Sequence, residues 1–205
     1  MRRKRSLGYE EIPTSRRRRR EQRRLRRWRK WRGGVREFVV TILVAFVVVF
    51  GFIRPFVVEA YRIPSESMEP TLEVGDRLLA NKFIYRFKEP ERGDIVVFDS
   101  VEGDDETLVK RVIGVGGDKI RVRGNTLLVN NKPQDEPYVN KKDPSRGSYG
   151  PTRVPEGYVF VMGDNRGNSA DSRVFGPVPL ENVEGEAFLR FWPPSKIGPL
   201  NFGNP

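Results

Sequence analysis

Cysteine and histidine are both absent from the 205-residue chain. Those absences exclude disulfides, thiol nucleophiles, Cys/His zinc sites and every catalytic triad built on imidazole. Hydrolytic chemistry here has to use another base. Lack of cysteine leaves the compartment open, since a domain large enough to bury a core needs no covalent staples outside the cytoplasm. Acidic residues are scarce at one end only. Residues 1–36 hold 17 Arg and Lys against 3 Glu, a net of +14, so that the formal charge of +11 leaves the remainder at −3. A basic tail on a near-neutral body points to a local partner for the tail, anionic lipid in the first place and nucleic acid only as an accessory. The length allows one compact domain plus appendages.

Runs such as Arg16 to Arg20 and Arg23 to Arg32 are too charged to bury a core, and residues 1–34 are expected to be a disordered tail. From Phe38 to Ile53 there is no charge and one hydroxyl, Thr41. That is short of the about 20 apolar residues that cross a bilayer, but Val35 and the apolar residues after Arg54 extend it, and Arg36 and Arg54 can snorkel at its ends. A buried core helix or strand pair is the alternative; the flanking arginines decide against it. Cleavage as a signal peptide does not fit, because the run exceeds an h-region of about 7–15 residues and no small-x-small site follows closely. Residues 35–55 are therefore expected to be one N-terminal transmembrane helix. The basic tail is expected to lie in the cytoplasm and residues 56–205 outside it, which makes the chain a single-pass membrane protein.

After Phe56 the chain is a series of short β-type runs broken by Gly, Pro and Asn: Phe56–Arg62, Arg77–Tyr85, Asp94–Asp99, Thr107–Val115, Lys119–Arg123, Thr126–Val129, Tyr158–Met162 and Ala187–Trp192. Gly124-Asn125 is a hairpin signal and Asn130-Asn131 a turn signal. The expected fold is mostly β, a twisted antiparallel sheet or partly open barrel, with Asn140 to Thr152 as a mobile loop.

Three stretches carry possible chemistry. In Ile63-Pro64-Ser65-Glu66-Ser67-Met68-Glu69-Pro70 the prolines stiffen a loop that puts two serines on one side, so that one hydroxyl can attack while the other stabilises an oxyanion. In Thr107-Leu-Val-Lys-Arg-Val-Ile113 alternation places Lys110 with Leu108 and Val112. A lysine desolvated there loses affinity for its proton and can serve as the missing base; the other reading is a strand-edge lysine that snorkels into water. The run Gly163 to Arg173 has the composition of a tightly hydrogen-bonded loop, in which Ser169 can orient Lys110 and Asp171 can pair with Arg173. A metal site on Asp164 and Asp171 lacks histidine and regular oxygen-ligand spacing. Gly114-Val-Gly116-Gly117 lacks both a nucleotide-loop fingerprint and a following helix.

These stretches, in this order after an apolar span, resemble the boxes of the bacterial type I signal peptidases. The resemblance runs from about Phe56 to Trp192 and includes Gly93-Asp94-Ile95-Val96-Val97-Phe98 and Phe191-Trp192-Pro193. It implies a cofactor-free Ser/Lys peptidase domain that cleaves secretory precursors after small-x-small sites. By the same resemblance Ser67 is the nucleophile, Lys110 the base, and Ser65 with the Ser67 N–H the oxyanion hole. Ser169, Asp171 and Arg173 support the dyad, while Ile63, Pro64, Met68 and Val109 shape the substrate cleft. Glu66 departs from the pattern where a small residue is common, and Gly167 where an acidic one is frequent. A β-lactamase-type enzyme needs Ser-x-x-Lys, whereas Pro70 stands three residues after Ser67. A self-cleaving repressor would carry a DNA-binding helix pair in place of the span. The non-enzymatic alternative is a membrane-tethered β module, catalytically inactive, whose arginine tail recruits polyanions.

Overall fold

A computed structural model describes residues 37–53, 57–145 and 147–200. The chain divides into one unit up to Phe52 and a second from Ile53 onward. In the first, residues 37–47 are α-helical and Val48–Ile53 continue as a π-helix. Its apolar side chains are exposed, Phe38 at 66% and Val47 at 57%, and the Phe46 and Phe50 rings stack at 4.2 Å. Among the described residues no helix is long and apolar enough to cross a membrane. The expected anchor, 35–55, runs past the described residues at both ends, and the basic tail 1–34 lies wholly outside them.

The second unit is built of antiparallel strands. They are β1 (Val58–Arg62), β2 (Arg77–Asn81), β3 (Ile95–Asp99), β4 (Thr107–Gly114), β5 (Lys119–Arg123), β6 (Thr126–Val129), β7 (Lys132–Pro133), β8 (Ser148–Arg153), β9 (Tyr158–Met162), β10 (Val178–Pro179), β11 (Val183–Trp192) and β12 (Gly198–Pro199). One sheet runs β1-β2-β11-β3-β4-β9-β10, with β12 on β11; the other runs β7-β6-β5-β8. Register shifts interrupt β11 against both β2 and β3, and β4 against β9. Such bulges add twist and bend the strand that carries them, which curls the large sheet into a half-barrel.

Alternating β-branched residues explain most of these strands. Val96, Phe98, Val112, Val159, Val161 and Val178 form one core cluster, with Leu108 packed against it. Ile63, Met68, Leu72, Leu78, Ile95 and Val97 belong to a second, joined by Val109. Ile120, Val122, Leu127, Val129, Phe160 and Met162 belong to a third, which joins the small sheet to β9. The two expected turns are present. Gly124 and Asn125 separate the paired residues Arg123 and Thr126, and Asn130 and Asn131, with φ of 55° and 64°, adopt the left-handed backbone of a tight hairpin turn.

Two expectations are corrected. The run Arg77–Tyr85 is not one strand: β2 stops at Asn81, whose Oδ1 accepts from the Phe83 N–H at 3.0 Å and turns the chain into the short helix Ile84–Arg86. The stretch from Asn140 to Thr152 is not a loop throughout, because β8 starts at Ser148 and pairs with β5. Its Gly150-Pro151 centre gave no strand signal. At a sheet edge, however, a proline has no ladder bond to donate, and Gly150 at φ 75° supplies an irregularity that other residues resist.

Candidate active site

Ser67 lies in a single 3₁₀ turn, Glu66–Met68, directly after β1. Ser65 precedes it in extended conformation, and the two hydroxyl oxygens are 3.3 Å apart. Met68 is buried at 1% exposure, and its carbonyl accepts from the Leu72 N–H at 2.9 Å, so the turn is pinned to the core. Lys110 sits near the middle of β4, opposite Val96 of β3. Its Nζ donates to Ser67 Oγ at 2.6 Å across 43 residues of sequence, and both residues are buried, at 4% and 8%.

Burial sets the electrostatics. Desolvation pushes the Lys110 amine down from 10.5 to about 8; Asp171 and then Asp164 oppose the shift, and Arg173 adds to it. Among the described residues Lys110 makes no ion pair at 4.0 Å or less. A serine hydroxyl in hydrogen-bond reach of an amine that is partly neutral near pH 8 is the arrangement proton abstraction requires.

The Gly163–Arg173 loop closes the site from the end of β9. Asp171 caps the one-turn helix Ser172–Phe175 by accepting from the Arg173 N–H, and its other oxygen accepts from the Gly163 N–H at 3.1 Å. The Arg173 guanidinium meets the same carboxylate bidentately at 2.7 and 2.8 Å, and also donates to the Arg166 carbonyl at 2.8 Å and to Ser145 Oγ at 3.1 Å. A Cβ at Gly163 would collide with the Ser67 carbonyl oxygen and with Ser169, so this position has to be glycine for the loop to approach the serine turn. Among the described residues the buried Ser169 Oγ has no hydrogen-bond partner, and the bond to Lys110 expected from the sequence is not formed. Of the expected cleft residues, Ile63 and Met68 belong to a core cluster, Val109 packs against it half-buried, and Pro64 is exposed. Pro64 and Val109 thus offer surface, and Ile63 and Met68 support it from below.

Sequence reasoning missed a second network beside this one. Arg111 and Asp164 form a bidentate pair at 2.9 and 2.7 Å with side-chain exposures of 2% and 0%. Arg111 also donates to the Gly93 carbonyl at 2.9 Å and lies 4.0 Å over the Tyr138 ring, while Thr71 Oγ1 donates to Asp164 at 2.5 Å. Arg166 is bidentate to Glu136 at 2.9 and 2.6 Å. Asp164 and Asp171 are thereby committed to arginines, and among the described residues no group of acidic side chains is arranged to hold a metal. The only hint of these pairs in the sequence was an arginine inside an apolar strand.

The profile of the family described as "Signal peptidase, peptidase S26" matches residues 35–192. A probable signal peptidase I-2 of Synechocystis is 46% identical over 165 residues, covering 78% of this chain and 74% of that protein. Signal peptidase I of Mycobacterium tuberculosis is 39% identical over 230 residues, covering 85% and 78%. Signal peptidase IB of Staphylococcus aureus is 40% identical over 177 residues, covering 78% and 91%.

Proposed function

Since the chain belongs to the peptidase S26 family and is a serine endopeptidase of the signal peptidase I type, acting on secretory precursors, we propose that Ser67 and Lys110 perform its chemistry. The observation that carries this reading is the 2.6 Å contact between Ser67 Oγ and the amine of a buried lysine whose pKa is lowered to about 8. Neutral Lys110 takes the Ser67 proton as Oγ attacks the scissile carbonyl carbon. The negative charge that develops on the carbonyl oxygen is met by the Ser67 N–H and by the Ser65 hydroxyl, 3.3 Å from Ser67 Oγ. The Lys110 ammonium then gives its proton to the departing amine, and a water deprotonated by Lys110 hydrolyses the acyl ester. Asp171, held by Arg173, moderates the lysine pKa and fixes the loop. Ser169, whose hydroxyl has no partner among the described residues, becomes a partner for Lys110 once Ser67 is acylated. Pro64 and Val109, backed by the buried Ile63 and Met68, form a shallow cleft for the small residues of an Ala-x-Ala site. The active chemistry of the family leaves no place for the inactive β module. The test is cleavage of an Ala-x-Ala precursor: Ser67→Ala and Lys110→Ala should each abolish it with thermal unfolding preserved. Near-normal turnover by either folded variant would end this assignment.

The proposed setting is the bacterial plasma membrane, with residues 35–55 as a single span, 1–34 in the cytoplasm against anionic lipid, and 56–205 outside. It is supported by the uncharged run from Phe38 to Ile53, by the exposure of its helical side chains, and by the arginine excess on one side of it. Protease added to intact spheroplasts should remove the large domain and spare the tail. Cutting of the tail alone would reverse the topology.

A further inference from the structure

The proposed mechanism gives no part to Asn165, a buried polar residue beside the serine turn. Asn165 is 4% exposed, lies two residues after Gly163, and holds the serine turn at two consecutive peptide groups. Its Nδ2 donates to the Glu66 carbonyl at 3.1 Å, and its backbone N–H donates to the Ser67 carbonyl at 3.0 Å. The Glu66 carbonyl also accepts from the Glu69 N–H at 3.1 Å, so both of its lone pairs are engaged.

The Glu66 carbonyl and the Ser67 N–H are opposite ends of a single peptide unit. Donation to the oxygen draws electron density away from the nitrogen and makes its hydrogen a stronger donor, the cooperative polarisation that strengthens chains of hydrogen bonds by about 10–30% per bond. The second bond, to the Ser67 carbonyl, fixes the plane of the next peptide and so limits rotation of the turn. Among the described residues Asn165 Oδ1 is buried with no partner, so the amide is retained at the cost of one unsatisfied acceptor. A residue that only filled space would incur no such cost.

We propose that Asn165 is a positioning residue of the oxyanion hole: its side-chain amide polarises and aims the Ser67 N–H from the far side of the Glu66–Ser67 peptide. This rests on the oxyanion role proposed for that N–H. Because the amide acts through the peptide, its contribution grows with charge on the substrate oxygen, and therefore appears in the transition state and not in ground-state binding.

The experiment uses the full chain in detergent micelles with an Ala-x-Ala peptide, and measures kcat and KM against pH together with the affinity of a peptide aldehyde that forms a tetrahedral adduct on serine. Removing a direct oxyanion donor costs about 10²–10³ in kcat, and Asn165→Ala weakens such a donor only by the cooperative fraction, so it should lower kcat about two- to tenfold. Aldehyde affinity should fall in step, with KM changed by less than about twofold and the pH midpoint where the parent has it. Asn165→Asp keeps the shape and replaces the donor by an acceptor, so it should not restore kcat; if Asn165→Ala does not fold, this variant decides alone. Parent-like kcat in Asn165→Asp, a loss confined to KM, or a moved midpoint in Asn165→Ala would overturn the proposal. Ser65→Ala, assayed in parallel, separates the two levels. If neither it nor the Asn165 variants lowers kcat and aldehyde affinity, the oxyanion reading itself fails. If it impairs both while the Asn165 variants do not, only the role of Asn165 falls.

Discussion

Lys110 and Arg111 are neighbours on one strand, both cationic by type and both almost fully buried, at 4% and 1% exposure, yet their surroundings treat them in opposite ways. Arg111 is given a carboxylate, a carbonyl and an aromatic face: Asp164, Gly93 and Tyr138. Lys110 is given a serine hydroxyl, and Asp171 acts on it only through space while bound to Arg173. A buried cation has two ways to meet the cost of desolvation, a matched anion or loss of its proton. A guanidinium has only the first, because it does not deprotonate in proteins, and an amine has both. The pair of residues therefore divides structure from chemistry: the arginine ties Asp164 beneath the loop that closes the site, and the lysine is left able to take up a proton.

Removing the matched anion's partner tests this contrast most severely. Arg111→Met leaves the Asp164 carboxyl, at 0% exposure, without its arginine and with Thr71 as its one side-chain donor among the described residues. Breaking a buried pair from one side typically costs about 3–5 kcal/mol, and replacing both partners by apolar residues recovers much of it. Urea unfolding should show that loss for Arg111→Met and a substantial recovery in Arg111→Met with Asp164→Leu. A change below about 1 kcal/mol in the single variant would mean that the pair does not hold the loop.

Lys110→Met should behave in the opposite sense, losing activity while gaining stability. A folded pKa of about 8 against an unfolded value of 10.5 means that the folded state binds its proton less well. The full penalty is present below about pH 8, where both states are protonated. Stability of the parent then rises as the folded amine deprotonates, and the penalty is gone above 10.5. At about 1.4 kcal/mol per pKa unit the penalty at neutral pH is roughly 3 kcal/mol. Unfolding measured at neutral pH and again near the unfolded pKa should give a gain for Lys110→Met that shrinks towards zero at the alkaline end. A gain independent of pH would assign the effect to packing.

Legibility in the sequence followed the range of the interactions. The strands β5, β6 and β9 match their expected bounds because alternation and turn residues are local signals. The two-residue strands β7, β10 and β12 gave no pattern, since each exists by pairing with a longer neighbour. Ser67 and Lys110 were singled out by short, distinctive motifs, but the contact between them spans 43 residues and no spacing rule contains it. The Arg111–Asp164 pair and the Asn165 bonds reach across 53 and 99 residues, and Asp164 and Asn165 looked like ordinary loop polarity. What a polar residue is bound to, and not its type, separates a loop from a support, and that information is tertiary.

A smaller effect concerns the charges behind the lysine. Asp171 raises the Lys110 pKa and Arg173 lowers it, so kcat/KM plotted against pH should rise with a midpoint near 8 in the parent. Asp171→Asn removes the raising charge and leaves the lowering one, which moves the midpoint to lower pH; Arg173→Gln does the reverse. Shifts in the same direction for both would mean that loop displacement, and not charge, controls the amine.

The smallest change expected is in Ser169→Ala, and it separates resting geometry from geometry during turnover. Ser169 Oγ is buried without a hydrogen-bond partner among the described residues, so its removal deletes no bond seen there and relieves one unsatisfied group. Stability should therefore stay within about 1 kcal/mol of the parent, with any change favourable. The midpoint near pH 8 should also hold, because desolvation, Asp171, Asp164 and Arg173 set it and Ser169 does not. What can change is the plateau rate. In the proposed mechanism, while Ser67 carries the acyl group its oxygen can no longer share a proton with Lys110, and the adjacent Ser169 hydroxyl would orient the amine towards water. Single-turnover acylation and deacylation should be followed separately above the midpoint, with slowing expected chiefly in deacylation. Equal slowing of both steps, or a displaced midpoint, would mean that Ser169 already acts on Lys110 in the resting enzyme.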